Sequence, residues 1–398
     1  MKKLFLLLPL LILGLSLSMI DAGAEKSRDS KKSIFKAPAV KRAYWPTKAW
    51  KVKKPEALGM NSAKLKAMEK YAFTRPAPES ARKGIRTDGV VIIKNGYLAY
   101  ENYGGSFTKD TLHITWSDSK SYANALFGIA VKEKRLKVED PAWKYFPSLK
   151  RGDHAKITID MLLRMSSGLY SNETYEASPL KSTVNAMLFT TGHKDMAAYA
   201  ARQDLEYPPG TRWEYASPTP NLLMAMLKKT MTTKEYNNYP WSKLFNVLGM
   251  KKVVWERDAA GTYVGSSYVY STPRDMARFG YLFLNDGKWE GRRILPAGWV
   301  AYTTTIAPAY YTSKDLADDE KEDPAYGALW WLNRDVPEMN KKRALPDVPE
   351  DCFQAQGHWG QFIYVIPSLD MVVVYTGDNR DKTFSQNHFL KLVIDSIK

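Results

Sequence analysis

A serine three residues ahead of a lysine, Ser117-Asp-Ser-Lys120, is the arrangement in this chain best suited to covalent chemistry. On a helix the two side chains stand about one turn apart on the same face. The amine can then take the hydroxyl proton, provided it is held neutral. The partial positive charge of the helix N-terminus lies beside the serine, where it helps stabilise an oxyanion and depresses the lysine pKa. The pattern alone is weak, because the chain has five such pairs, starting at Ser33, Ser80, Ser106, Ser117 and Ser178. Only Ser117 directly precedes a long apolar run suited to a core helix. Two further segments carry reactive side chains. Glu214-Tyr215-Ala216-Ser217 presents a phenol that, near an ammonium, turns phenolate-like and serves as a base; the plainer reading is a half-buried aromatic. Gly357-His358-Trp359-Gly360-Gln361 opens a strand, where glycines admit close backbone approach to a ligand; the plainer reading is a turn with a satisfied histidine.

The elements that must position these groups are legible in the pattern of apolar residues. Residues 61–72 and 119–134 read as helices, the second with Ala123, Leu126, Phe127, Ala130 and Val131 on one face. Residues 89–103 read as a hairpin around Asn95-Gly96, a strong type I′ turn signal. A mixed helical and loop region follows to about residue 255. A helix with proline at its start covers 273–286, and strands at 361–366 and 371–376 form another hairpin. An amphipathic helix covers about 385–397. Strands at both ends and helices between them predict an α/β fold of the α+β type: an antiparallel sheet flanked by helices, with an inserted helical subdomain at about 135–255.

Composition narrows the chemistry. A 398-residue chain that is 44% hydrophobic and 25% charged has globular proportions and enough length for a large core. One cysteine, Cys352, excludes intrachain disulfides and cysteine-based metal sites, and the five histidines show no metal-ligand spacing. No metal or cofactor is therefore expected. No G-x-S-x-G elbow is present, which disfavours an ordinary α/β-hydrolase.

Taken together and in this order, Ser117-x-x-Lys120, Tyr215-x-Ser217 and His358-x-Gly360 resemble the motifs of the serine hydrolases related to penicillin-binding proteins and class C β-lactamases. The likeness is greatest to the esterase and 6-aminohexanoate-dimer hydrolase branch. Leu162-Leu-Arg-Met-Ser-Ser-Gly168-Leu, Tyr207-Pro-Pro-Gly210-Thr-Arg-Trp-Glu-Tyr215, Gly249-Met, Pro273-Arg-Asp-Met-Ala-Arg-Phe-Gly280 and Asp286-Gly-Lys-Trp-Glu-Gly291 extend the resemblance over residues 56–398. It implies that fold, and an acyl-enzyme on Ser117. Lys120 would activate the nucleophile and Tyr215 would pass the proton to the leaving group. The backbone N–H groups of Ser117 and Gln361 would form the oxyanion hole, and Ser217, His358, Gly360 and Tyr175 would contact substrate. Ser217 stands where β-lactamases usually carry asparagine, and His358 replaces the lysine of a Lys-Thr-Gly triplet. A histidine is mostly neutral at pH 7, so efficient β-lactamase activity is not expected. Ester or amide cleavage in a small or short peptide-like substrate is favoured. The alternatives are a D,D-carboxypeptidase acting on peptidoglycan stem peptides, and a non-catalytic envelope-binding protein that retains the fold.

The first 24 residues read as an export signal: Lys2 and Lys3, an apolar run from Leu4 to Ile20, then Ala22-Gly23-Ala24. The expected destination is the bacterial periplasm or cell surface, with an uncleaved membrane anchor as the alternative. Residues 25–55 carry eleven Lys or Arg against Glu25 and Asp29, and hold most of the net charge of +16. They read as a basic flexible arm, a tether or a segment that wraps the body. One reading is attraction to an anionic envelope polymer, and the other a solvated linker. Nucleic acid is not an expected partner, since the basic run carries no recognition motif. The sequence sets no oligomeric state.

Overall fold

The computed structural model describes residues 32–397, apart from 76–77, 79–80, 314–315 and 317–321. The leader read at residues 1–24 lies outside the described residues. The principal elements, in chain order, are helix α1 (Ser62–Phe73), strands β1 (Thr87–Lys94) and β2 (Tyr97–Tyr103), and helices α2 (Asp118–Lys132), α3 (Pro218–Lys229) and α4 (Pro273–Leu284). Strands β3 (Ala325–Tyr326), β4 (Trp331–Leu332), β5 (Phe353–Gly357), β6 (Gln361–Ile366) and β7 (Met371–Gly377) follow, and helix α5 (Gln386–Asp395) closes the chain. The expected helices and hairpins occur within one or two residues of these bounds. Asn95 and Gly96 both have positive φ, 52° and 81°, as a type I′ turn requires.

The seven strands form one antiparallel sheet in the order β2-β1-β7-β6-β5-β4-β3. Its chain ends lie side by side because β1 pairs with β7, so residues 283 positions apart, Val91 and Val374, face each other. Period-two alternation splits the strand residues between two cores. Val91, Ile93, Ile363, Val365, Val372 and Val374 face the larger cluster with α2, α3 and α4. Val90, Ile92, Tyr364, Ile366, Val373 and Tyr375 face the smaller one, with Leu65 and Met68 of α1 and Phe389, Leu390 and Val393 of α5. This is the α+β sandwich expected. Between α2 and residue 253, the described residues contain helices, turns and isolated bridges but no strand of the main sheet.

Of the two readings of the basic segment, the described part follows the wrapping one. Residues 32–55 are not a tether but a strap against the body. Trp50 is buried in the larger core. Arg42 makes a two-pronged pair with Asp370 at 2.6 and 2.7 Å. The Tyr44 hydroxyl donates to the Gly96 carbonyl at 2.8 Å, and the Pro46 carbonyl accepts from Arg278 at 2.9 Å. The aromatic residues Tyr44, Trp45 and Trp50, spaced among the lysines, supply apolar area that a charge count overlooks. Of these, Trp50 is buried and Tyr44 and Trp45 are half-buried; full burial of a large apolar side chain is worth about 2 kcal/mol, so the three together help to hold the segment in place.

Candidate active site

Ser117 and Lys120 meet at the start of α2. Ser117 is the residue before the helix, with φ −68° and ψ −10°. Trp116, just ahead of it, has φ +47°, a left-handed conformation that a bulky side chain adopts only when its surroundings enforce it. Here the enforcing contacts are edge-on packing of the Trp116 ring against His358 and Trp359, with both centroid distances 5.7 Å. Nearly every residue of α2 through Ala130 is buried, so the Ser-Asp-Ser-Lys turn stands on the core.

The Lys120 ammonium nitrogen lies 2.8 Å from Ser117 Oγ, 3.0 Å from Ser217 Oγ and 3.2 Å from the Ser266 carbonyl oxygen. Burial lowers the Lys120 pKa to about 8, against the opposing pull of Glu173 and Asp118. Tyr215 comes in from the loop before α3. Its ring centroid is 4.8 Å from Lys120 Nζ, and its phenol faces the Ser117 hydroxyl. The ring is fixed by stacking on Trp331 at 5.1 Å and by an edge contact with Tyr326 at 5.8 Å. Hydroxyl, amine and phenol therefore converge from two elements about 95 residues apart in the chain.

The phenolate reading of Tyr215 does not hold. Burial, then the charges or partial charges of Tyr326 and Glu173, push the phenol well above its ordinary pKa. These surroundings favour the protonated phenol over the phenolate.

The end of β5 forms the opposite wall. A Cβ added at Gly357 would lie 2.2 Å from the Thr115 carbonyl oxygen, so only glycine lets this strand reach the nucleophile turn. His358 follows and lines the cleft. Neither the Ser117 N–H nor the His358 N–H donates to an acceptor among the described residues. Gln361 is not part of this wall: it is the first residue of β6, is paired in register with Gly357 and Thr376, and its side-chain amide donates to the Gly377 carbonyl at 2.6 Å. The three-residue turn between β5 and β6 carries it away, a displacement invisible when spacing alone is counted. Gly360 belongs to that turn, with φ +100° and an added Cβ only 2.7 Å from Asn379 Nδ2. Its glycine serves the turn and not a substrate.

Ser217 is also redirected. It is fully buried and committed to Lys120 on one side and Glu173 on the other, so it has no face toward a substrate. Glu173 accepts from the Ser217 N–H at 2.7 Å and from the Ser217 hydroxyl at 2.8 Å, and from Ser171 Oγ at 3.1 Å. Reading the sequence singled out the 170–175 loop but gave weight only to Tyr175. Glu173 carried no signal, because its partners lie 44 residues downstream. Ser266, whose contribution is a backbone carbonyl, could not have been found by side-chain type.

The cleft encloses about 540 Å³ and is lined by Ser117, Tyr215, Trp331, Gly357 and His358 below and by residues 171–176 above. Tyr175 stacks on His358, with centroids 4.7 Å apart and planes inclined by 22°. His358 Nε2 lies 3.1 Å from Glu176. Glu173, Glu176, Glu214 and Asp323 all reach the cleft, and no Lys or Arg lines it among the described residues. Among the described residues no group of three or more His, Cys, Asp or Glu is arranged to hold a metal ion.

The sequence model of the family described as Beta-lactamase matches residues 68–389. The 6-aminohexanoate-dimer hydrolase of Paenarthrobacter ureafaciens is 23% identical over 316 residues, covering 77% of this chain and 76% of that one. Two solved structures share the fold at low identity. EstCE1, described as a hydrolase with promiscuous acyltransferase activity, superposes with a TM-score of 0.62 at 14% identity, over 84% of this chain and 98% of that one. A family VIII carboxylesterase superposes with a TM-score of 0.59 at 14% identity, over 84% and 96%.

Proposed function

The chain belongs to the beta-lactamase family, and from that premise we propose that it is a serine hydrolase that cleaves an ester or amide bond through an acyl-enzyme on Ser117. The observation that carries this reading is the meeting of Ser117, Lys120 and Tyr215 in one cleft. Ser117 Oγ attacks the substrate carbonyl carbon while its proton passes to Lys120 Nζ. The N–H groups of Ser117 and His358 support the oxyanion that forms; losing one such donor typically costs about 10²–10³ in rate. As the tetrahedral intermediate collapses, the leaving group takes a proton from Tyr215 Oη, which is replenished from the Lys120 ammonium. Water then attacks the acyl carbon and gives up its proton along the same route, and Ser117 departs with its hydroxyl restored.

The charge of the cleft supports ester or amide substrates over β-lactams and peptides ending in D-alanine. Those substrates present a carboxylate beside the scissile bond. Here Glu173 and Glu176 line the cleft, and among the described residues the cations beside it are Lys120, engaged with Ser117, and a histidine, when protonated, that already lies beside Glu176. The relatives named as a 6-aminohexanoate-dimer hydrolase and a family VIII carboxylesterase are consistent with this. Residues 1–24 add the proposal that the enzyme acts outside the cytoplasm, in a bacterial periplasm or at the cell surface.

A fluorophosphonate probe should label the wild type at Ser117 and leave Ser117→Ala unlabelled. Short p-nitrophenyl esters should turn over faster than nitrocefin or D-Ala-D-Ala peptides. A wild-type protein that is not labelled, or a Ser117→Ala variant with full esterase activity, would refute the reading.

A further inference from the structure

We propose that Glu173 is a positioning residue that sets which way the hydrogens run around Lys120, so that the lysine lone pair is aimed at Ser117. The inference rests on the acyl-enzyme reading above. It follows from counting donors. The Ser266 carbonyl can only accept, so one Lys120 N–H is spent there. Ser217 Oγ gives its single hydrogen to Glu173 Oε2 at 2.8 Å. It must then accept from Lys120, which uses the second N–H. A neutral amine has two hydrogens and one lone pair. Both hydrogens are now committed, and the remaining direction, 2.8 Å long, ends on Ser117 Oγ. The lone pair therefore faces the proton it must receive.

The orientation of Ser217 is over-determined. Glu173 Oε1 accepts from the Ser217 N–H and from Ser171 Oγ, so the carboxylate receives three donors and is held against the start of α3. Without an acceptor at Oε2, the Ser217 hydroxyl is free to turn its hydrogen toward Lys120. It would then compete with Ser117 for the single lone pair. The ionisable groups facing Lys120 are Glu173 from the roof loop, Asp118 from its own helix turn and Tyr215 from the loop before α3. Burial drives the Asp118 carboxyl well above the ordinary carboxylate range, and Tyr215 is a neutral phenol. Of the two carboxylates, Glu173 favours the Lys120 ammonium more strongly than Asp118 does.

Glu173→Gln tests this. The glutamine keeps an acceptor at Oε1 but places an N–H₂ where Oε2 stood, which reverses the Ser217 hydroxyl. Phosphonylation of Ser117 by a fluorophosphonate probe and kcat for p-nitrophenyl acetate should both fall by about 10²-fold, the scale of a misaligned reacting group. KM should stay within about two-fold, and the alkaline rise of kcat/KM should move to lower pH because the charge that favours the ammonium is gone. Ser217→Ala should show a comparable loss, and the double variant Glu173→Gln/Ser217→Ala should be no slower than Ser217→Ala alone. Circular dichroism and thermal melts establish that each variant is folded. Wild-type labelling with an unchanged rate and pH profile in Glu173→Gln overturns this inference alone, as do losses that multiply in the double variant. Absence of labelling in the wild type overturns the acyl-enzyme reading and this inference with it.

Discussion

The floor and the roof of the cleft are built in opposite ways. The floor is the first turn of α2, the Tyr215 loop and the end of β5. Its chemistry-bearing groups are held by the core: Lys120 is 1% exposed and has three polar neighbours, and Tyr215 is clamped by two aromatic rings. The roof, residues 170–181, has no helix or strand. Leu180 is fully exposed, and the Glu176 side chain is 64% exposed. The roof's contacts with the floor include Glu173 on Ser217 and the Tyr175–Glu176 pair on His358. Geometry needed for bond-making is thus stored in packed elements. The surface that meets the variable part of a substrate is left on a segment that can change without disturbing the core.

If that division is real, the largest losses belong to the floor. Lys120→Met should reduce kcat for p-nitrophenyl acetate by about 10²–10⁴, the range of general acid–base catalysis. It should change the melting temperature only modestly, because the gain from exchanging a buried amine for an apolar side chain of similar length is offset by the Ser266 carbonyl and Ser217 hydroxyl that lose their donor. A variant that loses activity only in proportion to lost stability would show that Lys120 is structural, and the contrast between floor and roof would fail. Wild-type activity should also depend on pH with a defined sign. The neutral amine is the working form and the Lys120 pKa is about 8. Activity should therefore climb from pH 6, stand at about a tenth of its maximum at pH 7, and level off above pH 9. A flat profile across this window would exclude Lys120 as the base.

Tyr215→Phe comes next in size, with an expected loss of about 10²-fold. It separates two ways of using the floor. A p-nitrophenolate leaves without a proton, whereas an anilide nitrogen needs one. Loss of the phenol should therefore slow a p-nitroanilide more than the matching p-nitrophenyl ester. Equal losses on both would mean that Tyr215 shapes the cleft and delivers no proton.

The same division explains how much could be read from the chain beforehand. The sheet, its hairpins and α2 follow from local patterns: alternation in Val90–Ile93 and Met371–Val374, Asn95-Gly96 at a turn, proline at the start of α4. Ser117, Lys120 and Tyr215 stood out by residue type and family order. The errors concern relations that spacing does not encode. Gln361 lay one turn too far along, because a three-residue loop decides which N–H faces the cleft. Ser217 looked like a substrate contact until its partners, a roof carboxylate and a buried amine, fixed it inward. The choice between tether and wrapping segment at 32–55 stays open in the sequence because a charge count does not weigh the aromatic anchors among its lysines. In each case the missing information is a contact between segments far apart in the chain.

The smallest effects should come from the latch between roof and floor. The His358–Glu176 contact is largely solvated on the glutamate side, and such pairs contribute about 1 kcal/mol or less. Stacking of Tyr175 on His358 adds about 0.5–1.5 kcal/mol. Glu176→Gln should therefore change KM for neutral p-nitrophenyl esters by less than about five-fold and leave kcat unchanged. Tyr175→Ala, which removes the stacked ring and part of the cleft wall, should raise KM by more, again with kcat nearly intact. Comparing a neutral ester with one bearing an ammonium on its acyl chain sharpens the point, since removing the Glu176 charge should penalise only the cationic substrate. A fall in kcat with Glu176→Gln as deep as that with Tyr215→Phe would show that the latch helps to align the reacting groups. The boundary between floor and roof would then have to be redrawn to include residue 176.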